Sequence, residues 1–190
     1  MFQKTRLADV ARAAALVAAL GAAGAVSAAD FKLTSPQVAP DSKIADKHVF
    51  SGFGCSGGNL SPALRWSGAP TGTQSFAITM YDPDAPTGSG WWHWVVYNLP
   101  AISSGLAEGA GSANSMFLPG STQQGRTDFG TAAYGGPCPP QGDQPHHYTF
   151  TIYALKTKLE VPADATAAMV GFMINANKIG QASFTALYGR

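Results

Sequence analysis

His93-Trp94-Val95-Val96-Tyr97-Asn98-Leu99 is apolar on both of its alternating faces, and that decides the fold class. A strand with one solvated face alternates apolar and polar residues, whereas one buried on both faces reads as a continuous apolar run. This segment is therefore a central strand, and a central strand needs neighbours. Residues 75–81 (SFAITMY) supply one, ended by Asp82-Pro83 because proline cannot donate to a central ladder. Residues 148–155 (YTFTIYAL) alternate more cleanly, with Tyr148, Phe150 and Ile152 on one face and Thr149 and Thr151 on the other. Residues 182–188 give a closing strand, and 31–33 and 64–66 shorter ones. One helix is expected, capped by Asp164, buried through Met169, Phe172, Met173 and Ala176, and ended by Gly180. The fold class is mainly β: an antiparallel β sandwich with few short helices and one long Pro/Gly-rich loop.

That loop spans residues 101–145 and is dominated by Gly, Ser, Thr, Gln and Pro, with Arg126-Thr127-Asp128-Phe129-Gly130 in its middle. A connection of this length in a compact domain points to function. Its Pro/Gly density fixes turns rather than loosening the chain.

The N-terminus reads differently. Lys4, Arg6 and Arg12 precede an uncharged run over residues 13–26, and Ser27-Ala28-Ala29 follows. A basic start, a short Ala/Leu/Val centre and small residues at the end describe a secretory signal peptide. The run falls short of the roughly 20 apolar residues of a membrane span; a helix packed on the domain is its other reading. Residues 1–28 are therefore expected to be a cleaved leader and 29–190 a single domain, periplasmic or secreted. The leader carries three basic residues and one acidic, so its removal takes the formal charge from +1 to −1. A near-neutral domain without a Lys/Arg cluster argues against nucleic acid as a partner. In an exported chain the two cysteines, Cys55 and Cys138, read as a disulfide. A nucleophilic thiol or a metal ligand is the alternative, and no His neighbours either Cys in sequence to support it.

Two stretches carry chemistry that a fold alone does not require. Asp82-Pro83-Asp84-Ala85-Pro86 precedes Trp91-Trp92-His93-Trp94, and Gly135-Gly136-Pro137-Cys138-Pro139-Pro140 precedes His146-His147-Tyr148. Three of the four histidines lie here, each beside rigid Pro/Gly backbone at an end of an apolar run. Strand alternation aims His93 with Val95 and Tyr97, His146 with Tyr148, and His147 the opposite way. Asp82 is placed to reach an imidazole or a ligand ammonium, while Asp84 before the Ala85-Pro86 turn reads as turn chemistry. Gly135 and Gly136 let backbone N–H groups approach an anion, and Tyr148 adds a hydroxyl. If His93 and His146 contact the anion, affinity rises toward mild acid as they gain charge. No metal site is expected: His-x-x-x-His, Cys-x-x-Cys and helical Glu-x-x-His are all absent. A hydrolase of phosphate or carboxylate esters using the His/Asp pair is the rival reading, although no Gly-x-Ser-x-Gly elbow supplies a nucleophile. A regulator that binds a protein target by the pocket rim is a third.

These motifs, in this order and together with Gly52-Phe53-Gly54-Cys55 and Asn59-Leu60-Ser61-Pro62, resemble the phosphatidylethanolamine-binding protein family. The likeness is greatest to exported members of its bacterial, Raf-kinase-inhibitor-like branch and covers nearly all of the chain after the leader. It implies a β-rich domain around a large antiparallel sheet, no cofactor, and non-enzymatic binding of a phosphorylated or anionic small group such as a phospholipid head group. The implied pocket residues are Asp82, His93, Gly136, Pro137, His146 and Tyr148, with Asp84 and Pro86 shaping the wall and the Ala85–Pro86 bond cis. The implied partners are that ligand and a second copy in a homodimer; a protein target belongs to the third reading above. Cys138 between prolines and the lack of a C-terminal helix over the pocket set the chain apart from eukaryotic members.

Overall fold

The computed structural model describes residues 30–190; the expected leader lies outside them. The chain order is β1 (Lys32–Thr34), a 3-10 turn (Asp46–His48), β2 (Ser51–Gly52), β3 (Cys55–Ser56), β4 (Leu64–Ser67), β5 (Ser75–Asp82), β6 (Trp91–Pro100), β7 (Gly105–Leu106), β8 (Gln123–Gln124), β9 (His146–Leu155), α1 (Ala167–Asn177) and β10 (Lys178–Tyr188). A five-stranded sheet in the order β10-β9-β5-β6-β8 faces a three-stranded sheet in the order β1-β4-β7, and β2-β3 is a separate hairpin. Every strand pair is antiparallel. The expected sandwich is what the chain builds.

Each face of the large sheet has its own cover. Phe76, Ile78 and Met80 of β5, Trp94 and Val96 of β6 and Phe150 and Ile152 of β9 pack against Leu33, Leu64, Trp66 and Leu106 of the small sheet. Ala77, Val95, Tyr97 and Leu155 on the opposite face pack under Ala167, Val170 and Ile174 of α1. This double cover explains why β5 and β6 read as apolar throughout.

The helix corrects the sequence reading. Its buried residues are Ala167, Val170, Gly171 and Ile174, whereas Met169, Phe172 and Ala176 are exposed and Met173 is only partly covered. The segment is apolar nearly all round, so spacing alone does not choose the inward stripe. A close approach does: a Cβ on Gly171 would lie 3.3 Å from the Trp92 ring, so the glycine side receives the indole. Thr166, not Asp164, caps the helix by accepting from the Met169 N–H at 3.2 Å. Gly180 does not end it, because β10 already begins at Lys178.

Candidate binding pocket

Antiparallel pairing gathers the polar residues. Asp82 is the last residue of β5, while His93 and His146 lie at or near the first residues of β6 and β9. Both neighbours run opposite to β5, so their starts fall beside its end. Even-numbered residues of β5 and β9 face the sandwich interior, which puts Asp82, His146 and Tyr148 on one side of the sheet.

His93 joins them by a bulge, not by alternation. Tyr81 pairs with Trp92 and Met80 with Trp94, which leaves His93 with no opposite residue. The extra residue reverses the facing of the strand beyond it. Trp92 packs on the helix side, Trp94 turns into the inner core against Tyr134, and His93 meets Tyr148 edge to face at 5.1 Å. His93 therefore does not point with Val95 and Tyr97 as alternation suggested. The long loop holds the bulge in place. Gly135 donates its N–H to the His93 carbonyl at 2.9 Å, and its own carbonyl accepts from the His93 ring at Nδ1, at 2.8 Å. Asp128 accepts from the Trp92 N–H at 2.8 Å and returns its own N–H to the Trp92 carbonyl at 3.2 Å.

At the centre, Asp82 is 3% exposed, His93 3% and His146 4%, and Tyr148 is fully buried. Asp82 Oδ1 accepts from the Asp84 N–H at 2.9 Å. Its Oδ2 accepts from His146 Nδ1 at 2.8 Å and lies 4.0 Å from His93 Nε2. His146 Nε2 stands 3.5 Å from Asp143 Oδ2. Burial pulls the His93 pKa down to about 4, which its bond to Gly135 and the nearby Asp82 charge only partly offset. The ring is neutral near pH 7. Its proton sits on Nδ1, facing a carbonyl that can only accept, and Nε2 is left as a lone pair. Burial, then the charge and contact of Asp82, push the Tyr148 hydroxyl up, and it lies against that carboxylate without a well-aligned hydrogen bond.

These groups line a cavity of about 160 Å³ together with Pro86. The lining also includes three aromatic residues of the motifs to which the sequence assigned no role, Phe53, Trp91 and Phe129, and Cys138, expected only as a disulfide partner. Aromatic residues set in or beside Gly-rich turns are the signal for the three. Phe53 stacks on Phe129 at 5.9 Å, and Trp91 meets Phe129 edge on at 5.5 Å, so the rim is aromatic.

Three expected positions fall elsewhere. Asp84 turns away to His147, taking its N–H at 2.7 Å and its Nδ1 at 2.8 Å. Burial pushes the Asp84 carboxyl up, but those His147 contacts outweigh it and leave the pKa below the ordinary range. The Gly136 N–H is committed to Asn59 Oδ1 at 2.8 Å and is not available to an anion. Gly136 and Pro137 instead back the wall. A Cβ on Gly136 would strike the His48 carbonyl, and the Pro137 carbonyl accepts from the Phe50 N–H at 3.1 Å. The Ala85–Pro86 bond is trans, like every peptide bond among the described residues.

Cys55 and Cys138 form a disulfide with their Cα atoms 6.0 Å apart. It ties the β2-β3 hairpin to the pocket wall. Phe53 and Gly54, at the hairpin tip, both have positive φ (52° and 81°). Arg190 holds the tip from behind, donating to the Gly54 carbonyl at 3.1 Å and the Pro139 carbonyl at 2.7 Å.

Comparison with known proteins bears on this arrangement. A family described as phosphatidylethanolamine-binding protein matches residues 34–189. The UPF0098 protein YbcL of Escherichia coli (strain K12) is 55% identical over 162 residues, covering 85% of this chain and 88% of its own. Its crystal structure, described as a new member of the mammalian PEBP family, superposes with a TM-score of 0.83 over 85% of this chain and 99% of that one, at 54% identity. UPF0098 protein YbhB of the same organism is 47% identical, covering 83% of this chain and 99% of its own. A homolog from Chlamydia trachomatis, CT736, superposes with a TM-score of 0.70 at 30% identity, covering 84% and 97%. On the family match, these identities and the shared architecture, the chain belongs to the phosphatidylethanolamine-binding protein family.

Proposed function

We propose that this protein is an exported, non-enzymatic binding protein whose ligand is a small phosphorylated or otherwise anionic group of head-group size. One observation carries the reading: Asp82, His93, His146 and Tyr148, drawn from three strands, are buried around a single cavity. Buried polar groups without partners are costly, and a functional site is the usual reason to keep them. The cavity is well below the ~300–1,000 Å³ of drug-sized ligand sites, which favours a head group over a whole lipid. Its aromatic rim leaves an apolar approach for whatever the group is attached to.

The hydrolase reading lacks a nucleophile. Cys138 is in a disulfide, and the Thr87 hydroxyl donates to the Gly90 carbonyl at 2.5 Å. Tyr148 is held protonated by burial. The Asp82–His146 pair orients an imidazole, and among the described residues neither a Ser nor a free Cys lines the cavity beside it. Export rests on the leader-like first 28 residues.

Calorimetric titration of the mature protein with phosphoethanolamine tests the proposal, alongside crystals soaked in the same compound. Saturable binding, weakened at least about tenfold by His93→Ala, is the expected result. Absence of binding, or density for the compound away from the cavity, ends the reading. Turnover of a phosphoester panel that is lost in His93→Ala restores the enzyme.

A further inference from the structure

Among the buried side chains of the cavity acceptors outnumber donors, and the imbalance constrains the ligand. The His93 Nδ1 proton goes to the Gly135 carbonyl and the His146 Nδ1 proton to Asp82. The Gly135 and Gly136 N–H groups go to the His93 carbonyl and to Asn59. What faces the cavity is the Asp82 carboxylate, the Nε2 lone pair of His93, and the Nε2 of His146 beside Asp143. The Asp143 carboxylate stands 3.5 Å from that Nε2. The buried side chains contribute one donor outside any well-aligned hydrogen bond, the Tyr148 hydroxyl, which lies against the Asp82 carboxylate, and the rim adds the Trp91 indole N–H. Charge points the same way. Among the described residues no Lys or Arg lines the cavity, and Arg190 is turned to backbone carbonyls. The Asp84–His147 pair is closed on itself outside.

Resting on the oxyanion reading above, we propose that the pocket selects an oxyanion that brings its own proton: a phosphate monoester retaining P–OH, in preference to sulfate or a phosphodiester. A P–OH donates to Asp82 Oδ2 or His93 Nε2, which lie 4.0 Å apart, so one ligand hydroxyl can serve either. An unprotonated oxygen of the same group accepts from Tyr148. Sulfate and a diester anion only accept, so each sets an oxygen against the carboxylate or the imidazole lone pair. A bare ammonium only donates and leaves the Tyr148 proton unanswered. The monoester monoanion does both. A site built to accept from a ligand hydroxyl rejects analogues that lack it far more strongly than an apolar pocket rejects a missing methylene, and a bond from P–OH to a carboxylate is of the strong, charge-assisted kind.

The experiment titrates the mature protein with methyl phosphate, dimethyl phosphate and sulfate at equal ionic strength, following pocket resonances by NMR. At about pH 5.5 methyl phosphate, whose second pKa is about 6, is mostly a monoanion like dimethyl phosphate. Those two then differ by the P–OH and one methyl group, and sulfate controls for size. Methyl phosphate is expected to bind about tenfold or more tightly than either control. Dimethyl phosphate or sulfate within about threefold of methyl phosphate overturns the inference while leaving the oxyanion site standing. Failure of all three to bind ends both. Asp82→Asn, confirmed folded by its spectrum, supplies an amide donor and is expected to narrow the gap between methyl phosphate and sulfate. An unchanged gap in that folded variant removes Asp82 as the accepting group, and the wild-type series decides the matter whether or not the variant folds.

Discussion

His93 shows how one residue is made into a site. A lone imidazole on an apolar face is ordinarily an interior histidine bonded to backbone, and half of this one is, through Nδ1 to Gly135. The other half, Nε2, is kept open beside Asp82. Burying it neutral has a consequence for stability. The unfolded ring titrates near 6.5 and the folded one near 4, so between those values the unfolded chain holds more protons. Stability must then fall as pH drops through that window, by about 2 kcal/mol between about pH 7 and pH 5 for this residue alone. His48, also buried and lowered by desolvation, adds with the same sign. Asp84 acts below the window, because its carboxyl is shifted down. Urea unfolding at the two pH values is expected to show the loss in the wild type and a clearly smaller one in His93→Gln. Equal losses in the two proteins would mean that the ring is not a buried neutral base.

At the scale of elements, the β2-β3 hairpin places a bulky residue where a small one belongs. Two-residue hairpin loops with both residues at positive φ favour Asn-Gly, yet the first position here is Phe53, 69% exposed, with φ 52°. Its ring lines the cavity and stacks on Phe129. Relief of left-handed strain, about 1 kcal/mol, and loss of the aromatic contact, of similar size, nearly cancel in Phe53→Asn. The variant is expected to unfold within about 1 kcal/mol of wild type while binding phosphoethanolamine several-fold more weakly. Unchanged affinity would reduce Phe53 to a bystander. The same scale shows what the sequence could and could not reveal. β5, β6 and β9 were legible because burial on both faces, or clean alternation, leaves a periodic trace. The two-residue strands β2, β3, β7 and β8 leave none. The inward stripe of α1 was ambiguous because a Trp92 ring, not periodicity, chose it. The identities of the pocket residues were visible as motifs; the side on which His93 emerges was not, since a bulge clamped by a residue 42 positions away has no local signature. Asn98 marks a second irregularity of β6, with φ 60°, and its side chain pairs both ways with Leu159, at 2.9 and 2.7 Å.

For the whole molecule, the proposed export and the architecture meet at the disulfide. Cys55 and Cys138 are 83 positions apart, and closing a loop of that size stabilises by about 4 kcal/mol in the chain-entropy account. That is a large share of the 5–15 kcal/mol typical of a domain, and it is available only where thiols oxidise. The bond also fixes Cys138 and the Phe53 hairpin as one wall of the cavity. Stability and pocket shape are thus linked by one covalent contact, and the proposed export supplies the setting in which it forms. The full chain secreted from a bacterial host is expected to lose the mass of residues 1–28 and to show no titratable thiol in denaturant. The chain from residue 29 made in a reducing cytoplasm is expected to show two thiols, to unfold about 4 kcal/mol more easily, and to regain the difference on oxidation. A secreted product that keeps its first residues, or that carries free thiols, breaks the link at its first step. Equal stability of the oxidised and reduced forms breaks it at the second, because the hairpin wall would then be held by Arg190 and the aromatic cluster without help from the sulfur bridge.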